Sequence, residues 1–594
     1  MKAGKRKNIE KLKKAALGMI TCDLTITNVN LFNVITDEIY PCEVDICDGY
    51  IVNVRSFSNT RKANTKEYYD GRGCYLLPGL IDCHVHVEST MMTPENLSRA
   101  IVPYGTTTII TDPHEIANVM GIEGVKYMID NSKNSKLRQF VLAPSCVAAT
   151  ENLEKAGAFF TSKDIEEMLQ MDGVIGLAEV MDYIGVINHS KRMSSIVDQA
   201  INKEKYIQGH CPFVSGDNLA AYLIGGPVSC HESSTRDEVL EKIRNGMHIN
   251  LRSSSLDDSS INIAQAINQI NDHQFVSICT DDIHAKDILT DGHINGVIKR
   301  YIKSGLKGRD LYKMATINAA REYGFSDIGI IAPGYLADMQ LINDFDGSCP
   351  EAVFISGQLV AEKGKYLLSD EKVSQYQLRN TVCVDQIKSE DDFLMRVPDG
   401  YNRDTISVNV VVKTSDRLWR TVEKMDLPVK NGCVDISGDP SLIYVCNCNR
   451  HGYNNKTIAI YKDFGLNSGA LASTVAHDSH NMNICYHNPK QAYLACEKLK
   501  QCGGGVCVVD DEDSCDIIKL PIAGLMSELD CKSISQEIEK VQKKLSKLTD
   551  GSVHVLSTAV MSLTVLPSVV ISDMGLVDGN KQAFVDIFVN DSLI

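Results

Sequence analysis

No stretch of the sequence approaches the roughly 18 consecutive apolar residues that span a bilayer, so a membrane protein is not expected. No CxxC pair occurs among the 20 cysteines, which lie scattered along 594 residues. That excludes the common zinc-ribbon spacings and a dense disulfide framework, and leaves reduced thiols, many as small core side chains. Cys446-Asn-Cys448 with His451 is the nearest approach to a zinc ligand set, and a weak one. Positive charge is also scarce: 60 Lys and Arg face 76 Asp and Glu, a net charge of −16. A field of that sign disfavours nucleic-acid backbones. No GxGxxG turn follows the first strand-like run, which tells against a dinucleotide fold. Gly503 to Gly505 lacks the following Lys-Ser or Lys-Thr of a phosphate loop, and reads as a tight turn before Val506.

What remains is ordinary globular composition, 44% apolar and 23% charged. The chain is too long for one core, so two or three packed units are expected. Lys2 to Lys14 is basic and Ala15 to Cys22 mildly apolar, but the apolar run is too short for a secretory signal and no small-residue cleavage site follows. It reads as an amphipathic helical lead-in to a cytoplasmic protein.

Residues 1–73 hold this lead-in and alternating strands: Leu24 to Thr27, Val29 to Phe32, Val44 to Cys47, then an Asp48-Gly49 hairpin before Ile51. Similar strands return at Ala337 to Ile342, Ala352 to Ile355 and from Gly357, within 326–379. The two pieces can close one small β domain. Between them, 74–325 alternates strand-like and helical runs. Eight strands are expected: Tyr75-Leu-Leu before Pro78, then runs beginning at Thr107, Gln139, Val174, Lys205, Gly226, Met247 and Phe275. Eight βα units fit an α/β fold of the (β/α)8 TIM-like barrel type, with a doubly wound sheet as the alternative. Residues 380–594, with strands such as Ser407 to Val412 and a helix from Ile534 to Leu548, form a C-terminal α+β domain.

The chemistry collects at the predicted strand ends. Strand one ends in Asp82-Cys-His84-Val-His86, where alternation puts both imidazoles on one face. Strand two leads to Asp112-Pro-His114-Glu115, strand four ends in Glu179, five in His210, six in His231-Glu232 and eight in Asp281-Asp282. Barrel enzymes build their sites from such ends. Four histidines and two carboxylates suit Mn, Fe or Zn. They exceed the three protein ligands usual for one catalytic zinc, so two ions bridged by a carboxylate are expected, with a bridging hydroxide as nucleophile. Asp281 could bind metal and also carry the proton to the leaving group.

Pro78-Gly-Leu-Ile-Asp-Cys-His-Val-His-Val-Glu-Ser-Thr90 resembles the first-strand signature of the amidohydrolase superfamily in its adenine deaminase branch. The same branch is matched by Gly105-Thr-Thr-Thr, Asp112-Pro-His-Glu-Ile-Ala-Asn118, Gly176-Leu-Ala-Glu-Val-Met181, Gly209-His-Cys-Pro212, His231-Glu-Ser-Ser, Cys279-Thr-Asp-Asp282, Gly292-His293 and Ala332-Pro-Gly-Tyr-Leu-Ala-Asp338. Ala476-His-Asp-Ser-His-Asn481, Gly503-Gly-Gly505 and Leu520-Pro-Ile-Ala-Gly-Leu-Met526 extend it into the last domain. The resemblance implies hydrolytic conversion of adenine to hypoxanthine and ammonia, a purine-salvage reaction. It also implies a barrel, a β domain from both flanks, a family-specific C-terminal domain and two divalent ions, Mn2+ first, with Fe2+ or Zn2+ as alternatives. Carried over by motif, His84, His86, His210, His231 and Asp281 are metal ligands and Glu179 bridges the ions. Asp281, Glu179 and Glu232 are catalytic, and Asp282, His114, Glu115 and Arg252 bind substrate. His477, Asp478 and His480 either cap the site or form a packing turn. A small purine is the expected partner, with no nucleic acid or membrane, and a homo-oligomer, a dimer, by analogy with other large barrel enzymes.

Several positions depart from the family pattern. Arg252 is followed by Ser253-Ser254-Ser255 rather than Glu-Gly-Ser, and Gln208 stands where Asp is usual. Phe213-Val214 replaces Gly-Leu, and Ala220 and Cys230 replace Asn and Asp. A superfamily enzyme acting on a different purine or a cyclic amide is therefore the alternative reading. A nucleic-acid zinc deaminase is excluded, because His86-Val-Glu88 is followed by no PCxxC. A silent scaffold should have lost metal ligands, and all six are present.

Overall fold

A computed structural model describes residues 1–4, 8–56, 62, 64–255, 259–368, 379–414 and 419–589. Chain contacts divide it into two compact units. The first comprises Met1–Asp112, Met128–Ala143 and Glu166–Gln375, the second Pro113–Tyr127, Pro144–Ile165 and Tyr376–Ile594.

In the first unit the lead-in is helical over Ile9–Ala16, where Asn8 caps the helix by accepting from Lys11 N; Lys5, Arg6 and Lys7 of the basic lead-in lie outside the described residues. Strands β1 (Cys22–Asn33), β2 (Glu38–Cys47), β3 (Tyr50–Ser56), β4 (Thr65–Asp70) and β5 (Tyr75–Pro78) follow. The two expected strands at Leu24 and Val29 are one strand, β1, whose register shifts between Ile26 and Val29. The Asp48-Gly49 hairpin is as expected: both residues have positive φ, 49° and 79°, the geometry of a two-residue turn matched to strand twist.

Eight parallel strands come next: β6 (Leu80–Val85), β7 (Thr106–Thr111), β8 (Arg138–Ala143), β9 (Val174–Val180), β10 (Tyr206–Gly209), β11 (Ser229–Cys230), β12 (His248–Arg252) and β13 (Val276–Cys279). Neighbours pair in sequence order through β10 and again from β11 to β13. Val228 N donates to Ile207 O across the remaining gap. The sheet closes on itself where Asp281 N donates to His84 O at 2.9 Å and His86 N to Asp281 O at 3.2 Å. The (β/α)8 barrel is thus the fold of this unit. Its helices bury one stripe each; Lys191–Asn202 buries Met193, Ile196, Val197 and Ala200, at helical spacing.

One expected barrel strand is corrected. Tyr75-Leu-Leu belongs to β5 of the small sheet, antiparallel to β14 (Met339–Ile342). Pro78 has no N–H to extend a ladder, and the chain turns at Gly79 into β6. A Cβ on Gly79 would stand 2.2 Å from Thr107 Oγ1, so only glycine passes this corner without a shift. With β15 (Ala352–Ile355), β16 (Gln358–Glu362) and β17 (Lys365–Tyr366), the small sheet runs β17-β16-β15-β14-β5-β1-β2-β3, with β4 beside β1. Both flanks therefore build one sheet, over a core that includes Ile26, Leu31, Val44, Leu76, Met339 and Phe354.

The second unit carries a nine-stranded sheet built from β18 (Thr405–Lys413), β19 (Arg420–Lys430), β20 (Cys433–Val434), β21 (Leu442–Cys448), β22 (Lys456–Lys462), β23 (Ala470–Ser473), β24 (Met482–Tyr486), β25 (Gly505–Val509) and β26 (Cys515–Lys519). Helices Pro489–Cys502 and Cys531–Leu545 accompany it. Segments 113–127 and 144–165, which follow β7 and β8 in sequence, belong to this unit. Cys446 and Cys448 lie in its apolar core, and His451 directs Nε2 at Ser479 O. They form packing and a hydrogen bond, not a zinc site. All 20 cysteines are free. Among the described residues no helix is long and apolar enough to cross a membrane.

Candidate metal centre

Side chains alternate along β6, so His84 and the extended residue His86 point the same way. Their Nε2 atoms face each other at 3.0 Å. Each ring's other nitrogen is engaged. His86 Nδ1 meets the carbonyl oxygen of Asp112 at 3.0 Å, which can only accept, so Nδ1 carries the proton. His84 Nδ1 meets Gln208 Oε1 at 2.8 Å, while the Gln208 amide nitrogen donates to Cys83 O and Tyr323 Oη. In its neutral form each ring would therefore present an Nε2 lone pair to the same point. Two facing lone pairs repel unless a proton or a cation lies between them, which makes the pair a candidate donor set for a metal.

Glu179, at the end of β9, lies between two histidine pairs. Its Oε1 is 3.4 Å from His86 Nε2 and 4.0 Å from His84 Nε2; its Oε2 is 2.6 Å from His210 Nδ1 and 3.1 Å from His231 Nε2. One carboxylate thus offers a separate oxygen to each pair. Asp281 Oδ1 completes the first group, 3.3 Å from His84 Nε2 and 3.2 Å from His86 Nε2. The six residues expected as ligands come together, and all but the partly accessible His210 are buried.

Without an ion, charge balance in this centre falls to protons. Burial opposes charge on His86, yet Asp281 and Glu179 hold its pKa well above the ordinary value; burial likewise opposes His231, and Glu179 raises it to about 9. Burial, then the neighbouring His231 and His86, push His84 down. Burial disfavours an ionised Glu179, but His210, His231 and His86 outweigh it and hold the carboxyl well below the usual range.

Supporting residues hold the ligands in place. Asp82 accepts from Thr280 Oγ1 at 2.5 Å, from Thr280 N and from His84 N, and has His293 Nε2 at 3.3 Å, tying the ends of β6 and β13 together. Arg252 donates through Nη1 to Asp281 Oδ2 at 2.9 Å and also to Glu232 Oε1. Ser89 Oγ donates to Asp282. Lys242, fully buried beneath His231, donates to Cys211 O, Ser233 Oγ and Glu238 Oε1. Of the expected substrate-binding residues, Asp282 and Arg252 are in this unit. His114 and Glu115 are in the second, where they meet His477, Asp478 and His480. Sequence reading passed over Gln208 as a mere departure. Its position two residues before His210 on β10 was the available signal, since alternation puts it on the ligand-bearing face.

Comparison with known proteins matches residues 75–360 to the amidohydrolase family and residues 418–583 to the adenine deaminase C-terminal domain. "Adenine deaminase 2" of Carboxydothermus hydrogenoformans is 36% identical over 98% of this chain and 100% of its own length. An adenine deaminase of Thermosipho africanus is 33% identical over 98% of this chain and 99% of its own. Among solved structures, a β-aspartyl dipeptidase of Fervidobacterium islandicum AW-1 superposes with a TM-score of 0.45 at 18% identity, covering 59% of this chain and 100% of its own.

Proposed function

This chain belongs to the adenine deaminase family, and from that premise we propose that it hydrolyses adenine to hypoxanthine and ammonia at the barrel centre. The observation that carries the reading is Glu179, whose two carboxylate oxygens face separate histidine pairs. His84, His86 and Asp281 would hold one divalent ion and His210 and His231 a second, with Glu179 shared between them. Nitrogen and carboxylate donors together suit Mn2+, Fe2+ or Zn2+, and the family resemblance puts Mn2+ first. Bound ions of this kind supply Lewis acidity that brings the pKa of a water to about 7.

Asp281 then acts on protons. Its carboxylate, kept ionised by His84, His86 and Arg252, accepts the proton of the attacking water and passes it to the exocyclic amino nitrogen, which departs as ammonia. Glu232, oriented by Arg252, would relay the water's second proton from the C6 hydroxyl to the adjoining ring nitrogen as ammonia leaves and the C6=O bond forms, so both water protons are placed. Asp282, fixed by Ser89, is placed to accept from the purine edge.

The direct test is ammonia release from adenine by Mn-loaded full-length protein, beside adenosine, cytosine and 6-substituted purines. Hypoxanthine formed from adenine supports the reading. Turnover of a different purine with adenine inert would keep the chemistry and overturn the substrate, and would turn attention to the serines after Arg252.

A further inference from the structure

The second unit contains a cluster of ligand-type side chains that the barrel chemistry does not use. His114 and Glu115 begin the helix His114–Met120, and His477, Asp478 and His480 sit in the turn between β23 and β24. All five are buried. His114 Nε2 lies 3.5 Å from Asp478 Oδ1, His477 Nδ1 3.9 Å from the same oxygen, and His477 Nδ1 3.3 Å from Glu115 Oε1. The donor atoms of His114, His477 and Asp478 all lie within 4.8 Å of one another, as do those of Glu115, His477 and His480.

Two further observations give the cluster its meaning. Asp478 Oδ2 is buried and accepts no hydrogen bond among the described residues. A buried carboxylate left so poorly solvated calls for a cation or a proton. The fully buried guanidinium of this region, Arg450, does not serve it. Its donors go to His480 O, Thr381 O and Oγ1, and Ala523 O. Negative potential is felt nearby: burial first, and then the charge of Asp478, push the Glu154 carboxyl up to about 8.

The turn is also rigid. Arg450 holds the carbonyl of His480, His477 N donates to Ala559 O at 2.8 Å, and His480 N to Ala476 O at 2.8 Å. Asn481 Nδ2 donates to Lys155 O at 3.0 Å. His480 Nδ1 accepts from Ala476 N at 3.1 Å, so the proton of its neutral ring sits on Nε2, 3.8 Å from Glu115 Oε2. His480 thus spends Nδ1 on the turn itself, and its Nε2 is beyond hydrogen-bond reach of Glu115.

We propose that His114, His477 and Asp478, with Glu115 as the fourth donor, form a divalent transition-metal site in the second unit. Two imidazoles and two carboxylates suit Zn2+ or Mn2+ rather than Ca2+ or Mg2+. The expected assignment of His114 and Glu115 to substrate binding then gives way to a structural or auxiliary ion that pins the helix start to the β23–β24 turn.

The test counts metal. Chelator-stripped full-length protein is reloaded with Zn2+ alone or Mn2+ alone, desalted and assayed by elemental analysis, with thermal melts to verify folding. Asp478→Asn, the near-isosteric change, and His477→Ala should each bind one ion per chain fewer than wild type. The same decrement should appear in a Glu179→Gln background, so failure of the barrel reading and failure of this one are told apart. Equal metal content in wild type and folded Asp478→Asn would overturn the site. Should both variants misfold, anomalous diffraction from Zn-loaded wild-type crystals decides: a peak among His114, His477 and Asp478 is expected, and none there overturns the proposal.

Discussion

Glu179 turns one carboxylate oxygen toward His84 and His86 and the other toward His210 and His231. Glu179→Gln keeps the shape but gives up the charge that both histidine groups share. We expect its metal content to fall by at least one ion per chain and adenine turnover by more than about 100-fold, since outer-shell losses alone cost 10–100-fold. Elemental analysis beside initial rates checks this; full metal content with full activity would sink the bridging role. Gln208 was not readable, because its importance lies in the proton it fixes on His84 and not in any charge of its own. Gln208→Leu should weaken metal binding about 10–100-fold, measured by titration with a competing chelator. The direction of a pH effect follows from His231. Its folded, metal-free pKa is raised to about 9, so at pH 7 the ring is protonated and must lose that proton to ligate. Metal binding should therefore release protons at pH 7, strengthen as pH rises, and stop releasing this proton above about pH 9. Calorimetry in buffers of different ionisation heat reads the proton count directly.

At the scale of elements, the strand-like runs from β7 onward overlap the observed strands, most loosely at Gly226 to Ser229, which meets β11 only at Ser229. The first was misplaced. Tyr75-Leu-Leu looks like a barrel strand by composition, and only the Pro78-Gly79 corner divides it from the true first strand, Leu80–Val85. The decisive contact, Gly79 against Thr107, is a tertiary one that no local pattern carries. Gly79→Val should cost about 1–3 kcal/mol through overpacking at that corner, seen as a lower unfolding midpoint. An unchanged midpoint would mean that Thr107 can rotate away freely. The segments 144–165 and 113–127 were equally illegible as parts of the second unit. Their ties are single long-range bonds, such as Thr150 Oγ1 to Thr564 Oγ1 at 2.7 Å and Asn449 Nδ2 to Lys155 O at 3.0 Å, which leave no periodic trace in sequence.

Across the whole molecule, periodicity made the βα alternation and the flanking strands legible but left a doubly wound sheet open beside the barrel, whereas the make-up of the second unit follows from pairing at a distance. The barrel's closure has a consequence of its own. The main-chain bonds that join the last strand to the first are made by His84, His86 and Asp281, three of the proposed ligand residues. The seam of the cylinder and the metal cradle are thus one piece of backbone, so an ion held there acts as a clasp. Hydrogen–deuterium exchange at the amides of His86 and Asp281 should quicken when chelator strips the protein and slow again on Mn2+ addition, while amides of the β7–β8 ladder, which makes none of the seam's bonds, hold steady. The barrel would then report its own occupancy through this joint.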